Sequence, residues 1–293
     1  MVEDISVSKI MTKRDSVKFL QIPGNRDSLL ELIRESGFSV YPVLKKDSYE
    51  LVGIVSRSDL FKDPDETQLS LLMVRNPVTI KPSEMVIKAA RILTEHMFQR
   101  MPVVDEKEGV YLEGIISRHD IVKKVVVPAK IQVGIENYLN KYVTTIWEGT
   151  PLPAAATIIR ISHQKAVPVI NEDRMIGIIT QNDFLKVAEI LDSQSKSRTG
   201  HGTENDSSSW DSESVLIIGS KTLTLPSNMK VHEIMERNVE VSFKDSTIDD
   251  VSQKMVKKNF DQLPVVGADG EIIGIINYKN VIRAYIDYYE GKI

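Results

Sequence analysis

MPVVDEKEGVYLEGIISRHDIV, residues 101–122, is the stretch that decides the fold. An apolar run built around Pro102-Val103 reads as a short strand, and a charged segment reads as a turn. Gly114 sits inside a second apolar run, and Ser117-Arg118-His119-Asp120 leads into a further apolar stretch that reads as a helix. The same pattern returns as YPVL…LVGIVSRSDLF, VPVI…MIGIITQNDFL and LPVV…IIGIINYKNVI. The prolines are Pro42, Pro102, Pro168 and Pro264, and the glycines are Gly53, Gly114, Gly177 and Gly274. Six residues beyond each glycine stands Asp59, Asp120, Asp183 or Asn280. Met73, Leu139 and Met235 each lie 29 residues before their proline, and Met11 lies 31 before Pro42. Matched offsets of this kind mark an internal repeat.

Working outward, each copy translates into the same elements. An amphipathic helix precedes the proline, as in 83–98 and 247–260, with apolar residues three and four apart. Two β-rich runs follow, such as 167–170 and 175–180, and then a second helix. The fold class is α/β (α+β), with four β-α-β-β-α units of about 60 residues, each too small to cover both faces of its sheet alone. Pairing of copies is therefore expected. The boundaries read 1–66, 67–127, 128–191 and 226–293, separated by a polar linker at 192–225. Residues 192–214 carry eight serines and one large apolar residue, Trp210. The run 215–225 reads as two short strands with a hairpin turn at Gly219-Ser220.

Composition removes several function classes. The 293 residues are 42% hydrophobic, enough for real cores, with a net charge of −4 that argues against an extended nucleic-acid surface. There is no cysteine, which excludes disulfides, thiol nucleophiles and cysteine metal sites. No apolar run approaches the roughly 20 residues of a membrane helix, and MVEDISVSKIM has no apolar signal core, so the chain reads as cytoplasmic. His96, His119, His163, His201 and His232 show no metal-ligand spacing. No glycine-rich phosphate loop follows a strand, and no Ser-His-Asp set has supporting context, so the reading is non-enzymatic.

The motif Ser/Thr-x-x-Asp admits two readings. Ser56/Asp59, Ser117/Asp120 and Thr180/Asp183 resemble capping boxes, with Val55 and Leu60, Ile116 and Ile121, and Ile179 and Phe184 placed as hydrophobic staples. Arg57 and Arg118 break the pattern, because a cation in the first helical turn opposes the helix dipole. A rule broken twice at matching places points to an anionic guest, with a solvated arginine or a local ion pair as the alternative.

These repeats resemble CBS domains, named after cystathionine β-synthase, whose copies pair into Bateman modules. The likeness covers nearly the whole chain and extends to four-copy proteins similar to the γ regulatory subunit of the AMP-activated kinase. The resemblance implies a ligand sensor without catalysis and with no obligatory cofactor. AMP, ADP or ATP would lie between paired copies, with aspartate on the ribose hydroxyls, Ser/Thr near the phosphate and the adenine in an apolar slot of the mate. Carried over, Ser56, Arg57 and Asp59 face Thr79, Ile80, Arg100, Met101 and Pro102. Ser117, Arg118, His119 and Asp120 face Lys18, Phe19, Val40, Tyr41 and Pro42. Thr180 and Asp183 face Glu240, Val241, Gln262 and Leu263. Arg100 resembles a phosphate-contacting arginine of the family. Asn277 and Asn280 depart from the motif, so the fourth pocket should be empty or altered. The third should prefer a less anionic ligand, a nucleoside or S-adenosylmethionine, or bind nothing. An unidentified regulated protein is the expected partner and a homodimer is open; no membrane is involved, and nucleic acid is disfavoured by charge. The rival readings are a ligand-free interaction scaffold and a regulator that binds S-adenosylmethionine or nucleic acid.

Overall fold

The computed structural model describes residues 5–36, 38, 40–57, 59–62, 66–105, 109–162, 164, 166–187, 189–192, 216–218 and 221–293. Trp210, His163, His201, the turn Gly219-Ser220 and most of the serine-rich linker lie outside them.

Each repeat builds a small sheet around its Pro-Val strand. In the first, Leu20–Ile22 runs parallel to Val40–Lys45, which pairs antiparallel with Leu51–Ser56. In the second, Arg100–Asp105 pairs antiparallel with Tyr111–Ser117, and Ile80 bridges Val103 in parallel. Ala166–Asn171 and Arg174–Thr180 form the hairpin of the third, flanked by Ile146–Trp147. The fourth orders Ser242–Phe243, Gln262–Val266 and Ile272–Asn277. Helix Val86–Glu95 buries Val86, Ala89, Ala90 and Leu93, the i, i+3, i+4, i+7 face its periodicity predicts.

The helices are shorter than the apolar pattern alone suggests, for local reasons. The expected 83–98 starts at Val86 because Met85 is extended and bridged to Ser6. Beyond its end, Met97 turns left-handed at φ 59°. The expected 247–260 becomes Ile248–Lys258, capped by Thr247 and ended by Asn259 at φ 56°.

The motif glycines explain the pairing. The segment leading into each repeat crosses to its mate's sheet: Thr12↔Ile115 and Lys13↔Gly114, then Gly53↔Arg75 and Ile54↔Val74. The second pair repeats this with Ile178↔Glu236 and Asn140↔Ile275. A Cβ on Gly53 would stand 2.7 Å from the Val74 carbonyl oxygen and 2.9 Å from the Met73 sulfur. One on Gly177 would stand 2.7 Å from the Met235 sulfur. The glycine and the distant leading methionine are therefore one contact between mates.

The cores follow. Leu29, Tyr41, Val43, Val55 and Leu60 of the first repeat are closed by Leu69, Leu72 and Met73 of the second. Val231 and Met235 of the fourth likewise complete the core of the third around Ile146, Val167 and Ile179. Val17, Leu44, Leu51, Val104, Leu112 and Ile115 join the first two sheets. Burying one such large apolar side chain is worth roughly 1.5–3 kcal/mol, so a lone repeat would forfeit several such terms.

Contacts divide the chain into two units. One holds Met1–Leu139, Asp245–Leu263 and Ile276–Ile293; the other holds Asn140–Lys244 and Pro264–Ile275. In the first unit, helix Tyr278–Tyr289 packs on Val86–Glu95. In the second, Leu216–Ile218 and Lys221–Thr224 pair antiparallel with Ile218 opposite Lys221, and Glu189–Asp192 adds a third strand. Among the described residues no helix is long and apolar enough to cross a membrane, and no cluster of metal-ligating side chains occurs.

Candidate functional site

The Ser/Thr-x-x-Asp motif ends the second hairpin strand and opens the following helix. Asp59 Oδ2 accepts from the Ser56 backbone N–H at 2.8 Å and its hydroxyl at 2.6 Å. Asp120 Oδ2 accepts from Ser117 N–H at 3.1 Å and Oγ at 2.5 Å, and Asp183 Oδ2 from Thr180 N–H at 2.8 Å and Oγ1 at 2.7 Å. Asn277 and Asn280 make the same reciprocal cap. The motif is thus a full capping box in the second and fourth copies, and in the first and third its aspartate accepts from the Ser/Thr backbone and hydroxyl. The second aspartate oxygen meets a lysine in two of them: Lys124 donates to Asp120 Oδ1 at 3.0 Å and Lys186 to Asp183 Oδ1 at 2.6 Å. Lys124 also donates to the Ile10 carbonyl. Spacings of three and four residues on a helix make these lysines legible in the sequence.

The arginines behave differently from one another. Arg57 is exposed. Arg118, expected to wait for an anion, is only 5% exposed, and its Nη2 donates at 2.7 Å to the Leu93 carbonyl near the end of helix Val86–Glu95. That differs both from an arginine held open for an anion and from the alternative of a solvated or ion-paired side chain, because the guanidinium is partly spent on an orphan helix carbonyl. Its Nε remains buried without a partner. Burial holds this guanidinium below its ordinary pKa, partly offset by Asp261.

Arg100 lies 4.5 Å over the Phe38 ring. Among the described residues it has no hydrogen-bond or ion-pair partner, and its Nε is buried and unsatisfied. Burial lowers its pKa, and Tyr41 and Asp120 offset part of that. The sequence grouped Arg100 with Ser56, Arg57 and Asp59; the structure sets it in the field of Tyr41 and Asp120, members of the other expected group. Phe38 was missed, although Phe38, Phe98 and Phe260 recur four residues before their prolines.

The slot residues sort by depth. Met101, Pro102, Pro42, Ile80 and Leu263 are buried; Thr79, Val40, Phe19, Glu240, Val241 and Gln262 are half-buried; Lys18 is exposed. Tyr41 points into its own core, its hydroxyl 2.7 Å from Ser36 Oγ and donating to the Phe38 carbonyl at 2.9 Å, so its side chain is not free to line a slot. Phe19 meets the Tyr49 ring edge-on, and Arg14 stacks 4.2 Å over that ring. Thr180, Asp183, Glu240 and Val241 belong to one unit, Gln262 and Leu263 to the other.

His119 Nδ1 stands 3.0 Å from the Tyr278 hydroxyl. Burial depresses the imidazole, Asp120 opposes that, and Lys123 and Lys124 reinforce it.

Four paired β-α-β-β-α repeats that share this motif define an internally repeated protein built from one domain type. The chain belongs to the CBS family: the model described as CBS domain matches residues 7–65, 69–127, 135–189 and 231–287. It is similar to the crystal structure of an uncharacterised protein from Pyrococcus horikoshii, 27% identical, with TM-score 0.66 and coverage of 95% of this chain and 99% of that one. It is also similar to protein MJ1225 of Methanocaldococcus jannaschii, 22% identical over 96% of this chain and 99% of that protein. The crystal structure of MJ1225, presented as that of a candidate archaeal homologue of g-AMPK, aligns with TM-score 0.69 at 20% identity over 96% of this chain and all of that one, a likeness of fold. Half of this chain matches a homoserine O-acetyltransferase of Methanococcus vannielii at 28% identity, but spans only 24% of that enzyme.

Proposed function

We propose that this chain is a non-enzymatic regulatory protein that binds an adenine nucleotide, AMP, ADP or ATP, in its first pair of repeats and signals occupancy to a partner protein. The observation that carries the reading is Arg100: a partly buried guanidinium with no hydrogen-bond or ion-pair partner among the described residues, laid on an aromatic ring in the field of Asp120. An unpaired buried charge is costly, and a phosphate would relieve it. Asp59 and Asp120 are the ribose-diol acceptors. At Asp120 the Oδ1 that meets Lys124 is the atom a diol would take, while Oδ2 keeps the cap. Ser56, Ser117, Arg57 and His119 border the phosphate, with Thr79, Ile80, Met101, Pro102, Lys18, Phe19, Val40 and Pro42 as the slots. Thr180 and Asp183 offer a second, less cationic site.

The test is calorimetry with adenosine, AMP, ADP, ATP and S-adenosylmethionine on wild type and R100M. The phosphorylated ligands should lose about tenfold or more in R100M, on the scale of a charged hydrogen bond, while adenosine is unchanged. A ligand at 100 times its Kd should add about 2.7 kcal/mol of stability. If none of the five binds, the chain is an interaction scaffold, a reading favoured by caps already satisfied internally.

A further inference from the structure

The fourth repeat departs from the motif at every polar position, with Asn277, Tyr278 and Asn280 where the first two repeats carry serine, arginine and aspartate. Tyr278 opens helix Tyr278–Tyr289, is buried, and has its N–H fixed by the Asp261 carbonyl at 3.2 Å. Its hydroxyl reaches the second repeat: His119 Nδ1 lies 3.0 Å away, and the rings meet edge to face with centroids 5.8 Å apart. His119 stands between Arg118 and Asp120, inside the motif. Asp120, Lys123 and Lys124 face the imidazole from its own segment, and Asp261 acts on Tyr278 from the fourth repeat.

We propose that Tyr278 is a positioning residue of the first-pair site: its hydroxyl donates to His119 Nδ1, leaves the ring proton on Nε2, and ties the fourth repeat to occupancy of that site. The last clause rests on the nucleotide reading above; the tautomer does not. Burial and Asp261 push Tyr278 up to about 12, so it remains an O–H donor near neutral pH. Burial keeps His119 below its ordinary value, so the ring is neutral there. A neutral imidazole that accepts at one nitrogen carries its proton on the other, and Nε2–H is then a fixed, uncharged donor. The fourth motif has thus lost a carboxylate of its own and serves its neighbour.

Two measurements on the full chain decide this. In ligand-free protein at pH 7, ¹⁵N histidine spectra should show His119 as the Nε2–H tautomer, and Y278F should move it toward a mixture. Identical His119 signals in the two proteins overturn the proposal. By calorimetry, Y278F should weaken AMP about three- to tenfold, the worth of one hydrogen bond, leave adenosine unchanged, and cost nothing further in an H119A background. An equal loss in H119A would mean that Tyr278 acts only through packing, which also overturns it. If wild type binds neither AMP nor adenosine, the nucleotide reading fails by itself and the spectra alone decide the tautomer.

Discussion

A carboxylate that caps its own helix with one oxygen keeps the other for a second partner. Asp183 gives Oδ2 to Thr180 and Oδ1 to Lys186. Burial alone would raise its pKa, but the bonds from Lys186 and Thr180 more than reverse this and hold it below the ordinary value. The folded chain therefore binds that proton less tightly than the unfolded chain. The resulting stability is full at neutral pH and drains away as pH falls below about 3.9, the unfolded value, through the lower folded one. D183N should flatten the acid limb of Tm against pH between pH 6 and pH 2.5; parallel curves would sink the claim. Arg100 gives the opposite case. R100M should melt no lower than wild type without ligand, because it removes an unpaired cation rather than a bond, and it should gain less from AMP in the same thermal scan. Residue-scale chemistry was half legible in the sequence. Ser-x-x-Asp reads directly as a cap, since both partners are three residues apart. Arg118 could not be read: its partner is the carbonyl of Leu93, 25 residues away, which only folding brings near.

At the scale of elements, the repeat offsets were legible while their cause was not. The sequence places Met235 29 residues before Pro168's counterpart Pro264, but not against Gly177 of the preceding repeat. The structure does so, with the Met235 sulfur and the Glu236 carbonyl pressed on the glycine. G177A should therefore cost about 1–3 kcal/mol in urea denaturation, the usual scale of overpacking. Pairing it with M235A removes the methionine Cγ and sulfur but not the Glu236 oxygen, which would remain 2.9 Å from the new methyl, so rescue should be partial. Unchanged stability in G177A would show that the crossing segment is not held there. Helix ends escaped the sequence for a related reason. Periodicity marks an apolar face, yet the extended residue Met85 and the left-handed Asn259 set the ends, and the first of these depends on a bridge to the mate.

At the scale of the whole molecule, the compact units cut across the pairing of the repeats. The chain's own sequence suggests a first module ending near residue 127, but the first unit also takes Asp245–Leu263 and Ile276–Ile293. Helix Tyr278–Tyr289 covers Val86–Glu95 there, Tyr285 is 2% exposed, and Arg91 meets Glu290 at 2.6 Å. No periodicity announces such a contact, since both helices are amphipathic in the same way as their neighbours. Residues 196–212 lie outside the described residues, and removing them should leave AMP binding by the first pair unchanged in calorimetry. Ending the chain at residue 130 is different. It strips the cover from Val86–Glu95 and takes away Tyr278, so the truncated pair should melt lower than the full chain by about 2–8 °C for each kcal/mol lost. It should also lose the part of AMP affinity that depends on a fixed His119, without losing adenosine. A truncated pair that melts with the full chain and binds AMP as tightly would mean that the fourth repeat's helix is a bystander, and that the first pair is an autonomous module after all.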